Sequence, residues 1–254
     1  MPSRIEDYAF ISDCETGVLV GRDGSMDWLC WPRFDSGACF AALLGEPEHG
    51  RWLVSPKDPN ARVRRQYRDH TMILETEFET DDGAVTLIDF MPLRDGRSDV
   101  VRMVVGKRGR VAMRTEIILR FDYGSLVPWV SRLDDGRLRA IAGPDMIVID
   151  SAVKLHGENF TTVGEFTVAE GERVAFTMTW GPSHLAPPRS VDPDRALQVT
   201  EDFWRRWVSH CTYKGELREP VIRSLLTLKS LAYHPTGGIV AAPTTSLPEC
   251  IGGT

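Results

Sequence analysis

The chain has 254 residues, 42% of them hydrophobic, and 30 Lys and Arg against 36 Asp and Glu give a net charge of −6. That composition excludes a disordered chain, and a fold of this length buries roughly 70–75% of its unfolded surface without needing disulfide staples. The mild acidity offers no basic face, so nucleic acid is not expected as a partner.

The N-terminal stretch Met1–Tyr8 is polar and acidic. It lacks the apolar centre of a signal peptide, and no later run approaches the ~20 apolar residues of a membrane helix, so no membrane partner is expected. The five cysteines, Cys14, Cys30, Cys39, Cys211 and Cys250, are odd in number and form no C-x-x-C pair. A reducing, cytoplasmic compartment is the expectation.

From Val18 to about Trp180 the sequence alternates in short segments, the mark of antiparallel strands that each bury one face. In Arg173 to Trp180, the residues Val174, Phe176, Met178 and Trp180 share a side. In Val111 to Phe121, the odd-numbered Val111, Met113, Thr115, Ile117, Leu119 and Phe121 oppose Arg114, Glu116 and Arg120, and Met72, Leu74, Thr76 and Phe78 oppose Glu75, Glu77 and Glu79. Turn signals separate the runs: Arg22-Asp23-Gly24, Asp81-Asp82-Gly83, Arg94-Asp95-Gly96, Asp134-Asp135-Gly136 and Ala169-Glu170-Gly171-Glu172. Asp bonds its own backbone there and Gly supplies positive φ. Gly106-Lys107-Arg108-Gly109 is expected to be a further hairpin turn. The pattern predicts a mainly β fold, a large antiparallel β-sandwich of two sheets, because the helices that parallel crossovers require are missing.

After Pro187-Pro188 the period changes. Ala196, Val199, Phe203 and Trp207 recur at helical spacing along Asp194 to Ser209, with Trp204 beside them. A second helix is predicted from about Leu217, with Leu217, Val221, Leu225, Leu228 and Ala232 on one face, Pro220 in its first turn and His234-Pro235-Thr236-Gly237-Gly238 as its stop. The tail from Gly238 to Thr254 is apolar and rich in Pro and Gly, and leads into no closing element. It reads as a chain cut in mid-architecture, with a frayed terminus as the alternative.

Catalytic motifs are sparse. There is no Walker loop, dinucleotide fingerprint, H-E-x-x-H or nucleophile elbow, and the six histidines are isolated from one another and from the cysteines. No metal and no cofactor is expected. Carboxylates remain, and Asp27, Asp35, Asp89 and Asp122 each interrupt an apolar context. Asp35 has a structural reading as the N-cap of a short helix over 36–44. The most unusual stretch runs from Asp23 to Ser36 and sets Trp28, Trp31 and Phe34 among Asp27, Arg33 and Asp35. Aromatic faces among charged groups suit a sugar surface, and equally an aromatic domain interface.

Two blocks carry a family resemblance. Ile5-Glu-Asp-Tyr-Ala-Phe-Ile-Ser-Asp-Cys-Glu-Thr16, continued by Gly21-Arg-Asp-Gly-Ser-Met-Asp-Trp-Leu-Cys30 and Pro32-Arg-Phe-Asp-Ser36, resembles the start of bacterial glycoside hydrolase family 15 proteins, the glucoamylase and trehalase-like enzymes. Arg223-Ser-Leu-Leu-Thr-Leu-Lys-Ser-Leu231 followed by Gly238-Ile-Val-Ala-Ala-Pro-Thr-Thr-Ser-Leu-Pro-Glu249 is similar to that family's entry into its catalytic barrel.

The resemblance implies a β-sandwich domain at 1–187, a helical linker at 188–215 and the start of a truncated (α/α)6 barrel at 216–254. It implies a non-catalytic N-terminal part of an inverting α-glucoside hydrolase acting on trehalose or malto-oligosaccharides, with no catalytic residue inside these 254. The alternative is a stand-alone carbohydrate-binding module. Asp27, Trp28, Trp31, Arg33, Phe34 and Asp35 are the candidates for a surface that borders the substrate entrance or docks the missing barrel. The 217–232 helix, deprived of its neighbours, is expected to fold back or to promote self-association.

Overall fold

The computed structural model describes residues 4–248. Fifteen strands precede two helices: β1 (Ala9–Ser12), β2 (Gly17–Val20), β3 (Ser25–Cys30), β4 (Ala38–Phe40), β5 (Arg51–Pro56), β6 (Arg62–Tyr67), β7 (Leu74–Thr80), β8 (Gly83–Phe90), β9 (Ser98–Ile118), β10 (Trp129–Arg132), β11 (Leu138–Ala142), β12 (Asp145–Ser151), β13 (His156–Glu158), β14 (Thr161–Ala169), β15 (Arg173–Pro182), α1 (Pro193–Ser209) and α2 (Arg218–Leu231). All pairings are antiparallel.

The strands form two layers that share β9. Its first half pairs with β8 and β15, and its second half with β5 and β14. One layer then runs β1-β2-β3-β5-β9-β14-β13, and the other β6-β7-β8-β9-β15-β12-β11-β10, with β4 beside β3. The core lies between them, where Val18, Met26, Trp52 and Val54 of the first layer meet Phe78, Val85, Leu87, Val104, Phe176 and Met178 of the second. Leu74 to Thr80 alternates buried and half-buried, as its period of two requires.

Gly106-Lys107-Arg108-Gly109 is not a hairpin turn, because it lies within β9 where that strand passes from one layer to the other. The register against β8 breaks at Lys107, and Gly109, two residues on, has φ +61°. A side chain at Gly106 would sit 1.9 Å from the Ala169 carbonyl oxygen. Gly106 thus lets β9 close onto the 169–172 turn, whose Glu170 and Gly171 N–H groups donate to Gly109 O and Gly106 O at 2.9 and 3.1 Å, while Gly109 lets it close onto Asp82 O, which a side chain there would meet at 2.1 Å.

No helix forms over 36–44. Ala38–Phe40 is strand β4 and only Ala42–Leu44 makes a 3-10 turn, with Cys39 and Phe40 fully buried. Burial of that segment against β3 outweighs its local helical pattern, so Asp35 caps nothing.

Both helices form where the pattern places them, but turned about their axes. Asp192 caps α1 by accepting from the Arg195 N–H at 3.0 Å. Its buried side is Ala196, Thr200, Trp204 and Val208, while Val199 and Trp207 are exposed. On α2 the buried side is Ile222, Leu226 and Ser230, and Leu217 and Leu228 are exposed. Ala196 covers the outer face of the second layer over Ile73, Ile88, Phe90, Val101 and Met103, which is why β8 is buried on both sides. Trp204 and Val208 meet Ile222 and Leu226 over Cys14 and Met72. Arg223 lies 4.1 Å over the Tyr67 ring and donates to Thr71 O at 3.0 Å, which ties α2 to the strands.

Candidate functional site

The 31–37 loop is anchored from below. Asp13 Oδ1 accepts from the N–H groups of Glu15 and Thr16 at 2.9 and 2.8 Å, and its other oxygen takes Arg94 Nε at 2.7 Å. Arg94 also reaches Glu15 at 3.0 Å and donates to the Pro32 carbonyl. The Phe34 N–H donates to Glu15 O at 2.9 Å, and Trp31 Nε1 to Ser98 Oγ at 2.6 Å. So held, the loop presents Arg33 and Asp35 outward as a two-bond pair, Nε to Oδ1 at 2.8 Å and Nη2 to Oδ2 at 2.5 Å. The Arg33 hydrogen bonds hold the Asp35 carboxyl below the usual carboxylate range.

The segment after α2 closes over this loop. It doubles back through a pairing of Ala232 with Ile239 and a turn at Gly237, φ +74°, and is tied to the strands by the His234 N–H donating to Cys14 O at 2.8 Å. The Arg33 guanidinium stands 5.7 Å from the Tyr233 ring centre. Between loop and segment is a cavity of about 260 Å3, lined by Arg33, Phe34, Asp35, Tyr233, Thr236 and Thr245 among others. Its cation, carboxylate, hydroxyls and phenol ring can bond hydroxyl groups and stack on an apolar ring face. Among the described residues Asp35 is the one carboxylate in its lining and is engaged by Arg33, so these residues place no pair of free carboxyl groups there to act as acid and base.

Three of the six candidate residues therefore reach the cavity: Arg33, Phe34 and Asp35. The other three stand behind it. Asp27 is buried and accepts from Tyr8 Oη at 2.7 Å and Ser25 Oγ at 2.5 Å. Trp31 is in the main core. Trp28 is 0% exposed: its Nε1 donates to Pro243 O at 2.9 Å, and it packs with Leu19, Cys30, Ala38, Ala41 and Leu247. Tyr233 and Thr236 were not legible as site residues, because only the doubling back after α2 brings them to the loop. Asp89 and Asp122 also lie away from the cavity lining. Glu249, Cys250 and the residues after them lie outside the described residues.

Among the described residues no group of three or more His, Cys, Asp or Glu is placed to hold a metal ion, and no helix is long and apolar enough to cross a membrane. Cys14, Cys30, Cys39 and Cys211 are free thiols. Burial pushes Cys14 up to about 12 and Cys30 to about 11, so neither is a thiolate nucleophile at neutral pH.

Residues 1–204 match the family profile described as trehalase-like, N-terminal. The chain belongs to that family. Among similar proteins, the trehalase of Thermoplasma volcanium is 32% identical over 98% of this chain and 41% of its own length. The trehalase of Mycolicibacterium smegmatis is 29% identical over 96% of this chain and 40% of its own. The chain thus spans about two-fifths of the length of the curated relatives it matches. A bacterial glucoamylase solved with acarbose shares the fold, with a TM-score of 0.66 over 91% of this chain and 41% of that one at 9% identity. That likeness of fold accords with the mainly β, antiparallel domain followed by two helices that this trehalase-like N-terminal chain displays.

Proposed function

We propose that this chain is the non-catalytic N-terminal part of a cytoplasmic α-glucoside hydrolase of the trehalase and glucoamylase type, with a sandwich at 1–187, a linker at 188–215 and the start of a catalytic barrel from 216. In the longer enzyme two carboxyl groups of the barrel do the inverting chemistry, one protonating the leaving oxygen and the other activating water. The present residues hold that barrel and border its substrate entrance through Arg33, Asp35 and Tyr233.

The observation that carries this reading is the seating of residues 243–247 on Trp28 and Cys30, with Pro243 O on the indole and Ser246 Oγ 3.2 Å from Cys30 Sγ. The strand domain is thereby a platform for the segment that follows α2. The outward stripe of α2, where Leu217 and Leu228 are exposed and Val221 and Leu225 half-buried, supports a further element docking there. A stand-alone sugar module needs the aromatic stretch open, and Trp28, Trp31 and Phe34 are at most 3% exposed.

The test is isothermal titration of this polypeptide with trehalose, maltose and maltotriose, with glucose release followed in the same samples. Neither saturable heat nor glucose is expected. Glucose release overturns the non-catalytic assignment, and saturable binding without turnover makes the chain a carbohydrate module instead.

A further inference from the structure

The second layer ends at β10, and the outer side of this strand pairs with nothing among the described residues. The Leu133 N–H donates to Arg137 O at 2.8 Å. Bonding alternates along an antiparallel pair, so Trp129 and Ser131 turn their backbone groups toward Arg139 and Ile141 of β11, while Val130 and Arg132 turn theirs outward. The donors and acceptors of Val130 and Arg132 are an open edge.

Large apolar side chains surround that edge. Leu126 is 49% exposed, Val127 55%, Trp129 80% and Val130 45%. Beside them the two layers part at a mouth of about 230 Å3, walled by Ile117, Leu119, Leu138 and Ile149 and rimmed by Val127, Val130 and Phe160. Phe160 is 82% exposed and, like Asn159, has positive φ, at 58°. The polar side chains in its lining are Arg132, His156, Thr161 and Thr162, with no carboxylate or amide among the described residues.

Edge strands are ordinarily guarded by lysine, an internal proline, a bulge or a charged face. The far edge of the same layer, β6, carries Arg62, Arg64 and Arg65. β10 is short, four residues after Pro128, but within it the register against β11 is unbroken, there is no lysine or proline, and the one charge, Arg132, is drawn aside by donating to Gly136 O and Leu155 O, each at 2.7 Å. What fits an open backbone edge with apolar cover is another strand of the same character.

We propose that β10 pairs antiparallel with the β10 of a second copy of this chain about a two-fold axis normal to the sheet. Opposed residues in such a pair share a face, so the axis passes through Val130 or Ser131. Centred on Val130, the two valines meet, Trp129 faces the partner subunit's Ser131 and Arg132 faces the partner subunit's Pro128. Centred on Ser131, Arg132 faces the partner subunit's Val130. Neither arrangement opposes two arginines, and both bring the two apolar mouths side by side on one face of a continuous sheet. The proposal is independent of the hydrolase reading and of the α2 stripe.

Sedimentation velocity on the 254-residue chain over a range of concentrations is the test, with Val130→Lys placing like charges across the axis and Leu228→Lys altering the α2 stripe. A reversible dimer is expected, with its dissociation constant raised at least about tenfold by V130K and unchanged by L228K, while the thermal melt of V130K shows that it is folded. Val130→Cys and Ser131→Cys, each made in a chain whose Cys211 and Cys250 are replaced by serine, supply a second readout: mild oxidation of one of the two, but not of the serine-substituted parent, is expected to yield a covalent dimer. A chain that stays monomeric at ~100 μM, a dimer indifferent to V130K or lost on L228K alone, or the absence of crosslinking at both positions overturns the proposal.

Discussion

Trp28 and Pro243 are 215 residues apart in sequence and joined by one hydrogen bond, from the indole Nε1 to the carbonyl oxygen at 2.9 Å. The bond fastens the end of the described chain to β3. Trp28→Phe keeps the ring face and removes the donor, leaving the Pro243 carbonyl without its partner. A loss of about 1–2 kcal/mol is expected, with faster proteolytic cleavage within 241–248 than in the parent. Equal cleavage would mean that the segment is held by its other contacts.

Trp204 and Trp207 test the helix faces. Trp204 is 0% exposed among Cys14, Met72, Ile222 and Leu226, whereas Trp207 is 37% exposed beside Lys229. Trp204→Ala is expected to cost about 3–5 kcal/mol and Trp207→Ala under about 1, as read from urea unfolding midpoints.

The same pair marks how far the sequence was legible. Strands were legible because one-sided burial writes period two into them, and the glycine turns mark their ends: Gly24, Gly96, Gly136 and Gly171 all have positive φ, whereas Gly83 of the remaining turn does not and instead opens β8. Helix positions were legible from period 3.6, but their faces were not, since α1 and α2 each carry two apolar stripes. Burial took the stripe with Trp204 and Ile222, leaving Val199 and Leu228 outside. The 106–109 glycines resembled a turn because a layer crossing needs glycine for close approach just as a hairpin does. At the site, Arg33, Phe34 and Asp35 stood out by composition, while Trp28 and Asp27 in the same stretch serve packing, a difference decided by which side of β3 and its loop the later segment covers.

Arg102 and Asp89 form a fully buried pair in which Arg102 Nε reaches Oδ1 at 2.8 Å and Nη2 reaches Oδ2 at 3.1 Å. The guanidinium also donates to Trp52 O and Gly24 O, at 2.5 and 2.7 Å, and so links both layers. Arg102→Met strands a buried carboxylate and is expected to cost about 3–5 kcal/mol. Adding Asp89→Leu removes that charge and is expected to recover most of the loss. Denaturant titration of the single and double variants measures the recovery.

Asp99 gives a pH dependence of definite sign. Burial raises its carboxyl above the ordinary range and Asp95 and Asp13 add to the shift, against the lowering by Thr179, whose hydroxyl donates to it at 2.6 Å, and by Arg97. The folded state therefore holds this proton more tightly than the unfolded one, and the contribution of Asp99 to stability falls as pH rises from the ordinary carboxylate value through the raised one. Asp99→Asn keeps an acceptor for Thr179 without the charge. Its melting temperature is expected to exceed the parent's by a few degrees at pH 7 and to converge with it near pH 3. A variant less stable than the parent at both pH values would contradict the raised carboxyl.

Phe160 occupies the second central position of the two-residue connection between β13 and β14, with Asn159 at φ 48° and Phe160 at φ 58°. Such turns favour Asn-Gly, because the second residue must hold a positive φ that crowds any side chain. The ring is 82% exposed and buries little in return. Phe160→Gly trades relief of that strain against the greater freedom glycine has when unfolded. The relief is the larger effect at a left-handed aromatic residue, so a net gain of about 0.5–1 kcal/mol is expected. A calorimetric melt that drops instead would mean that the exposed ring is buried in solution. Repeating the melt with V130K as the background identifies the cover: a drop that disappears there places Phe160 in the interface beside β10, and one that persists assigns it to the monomer.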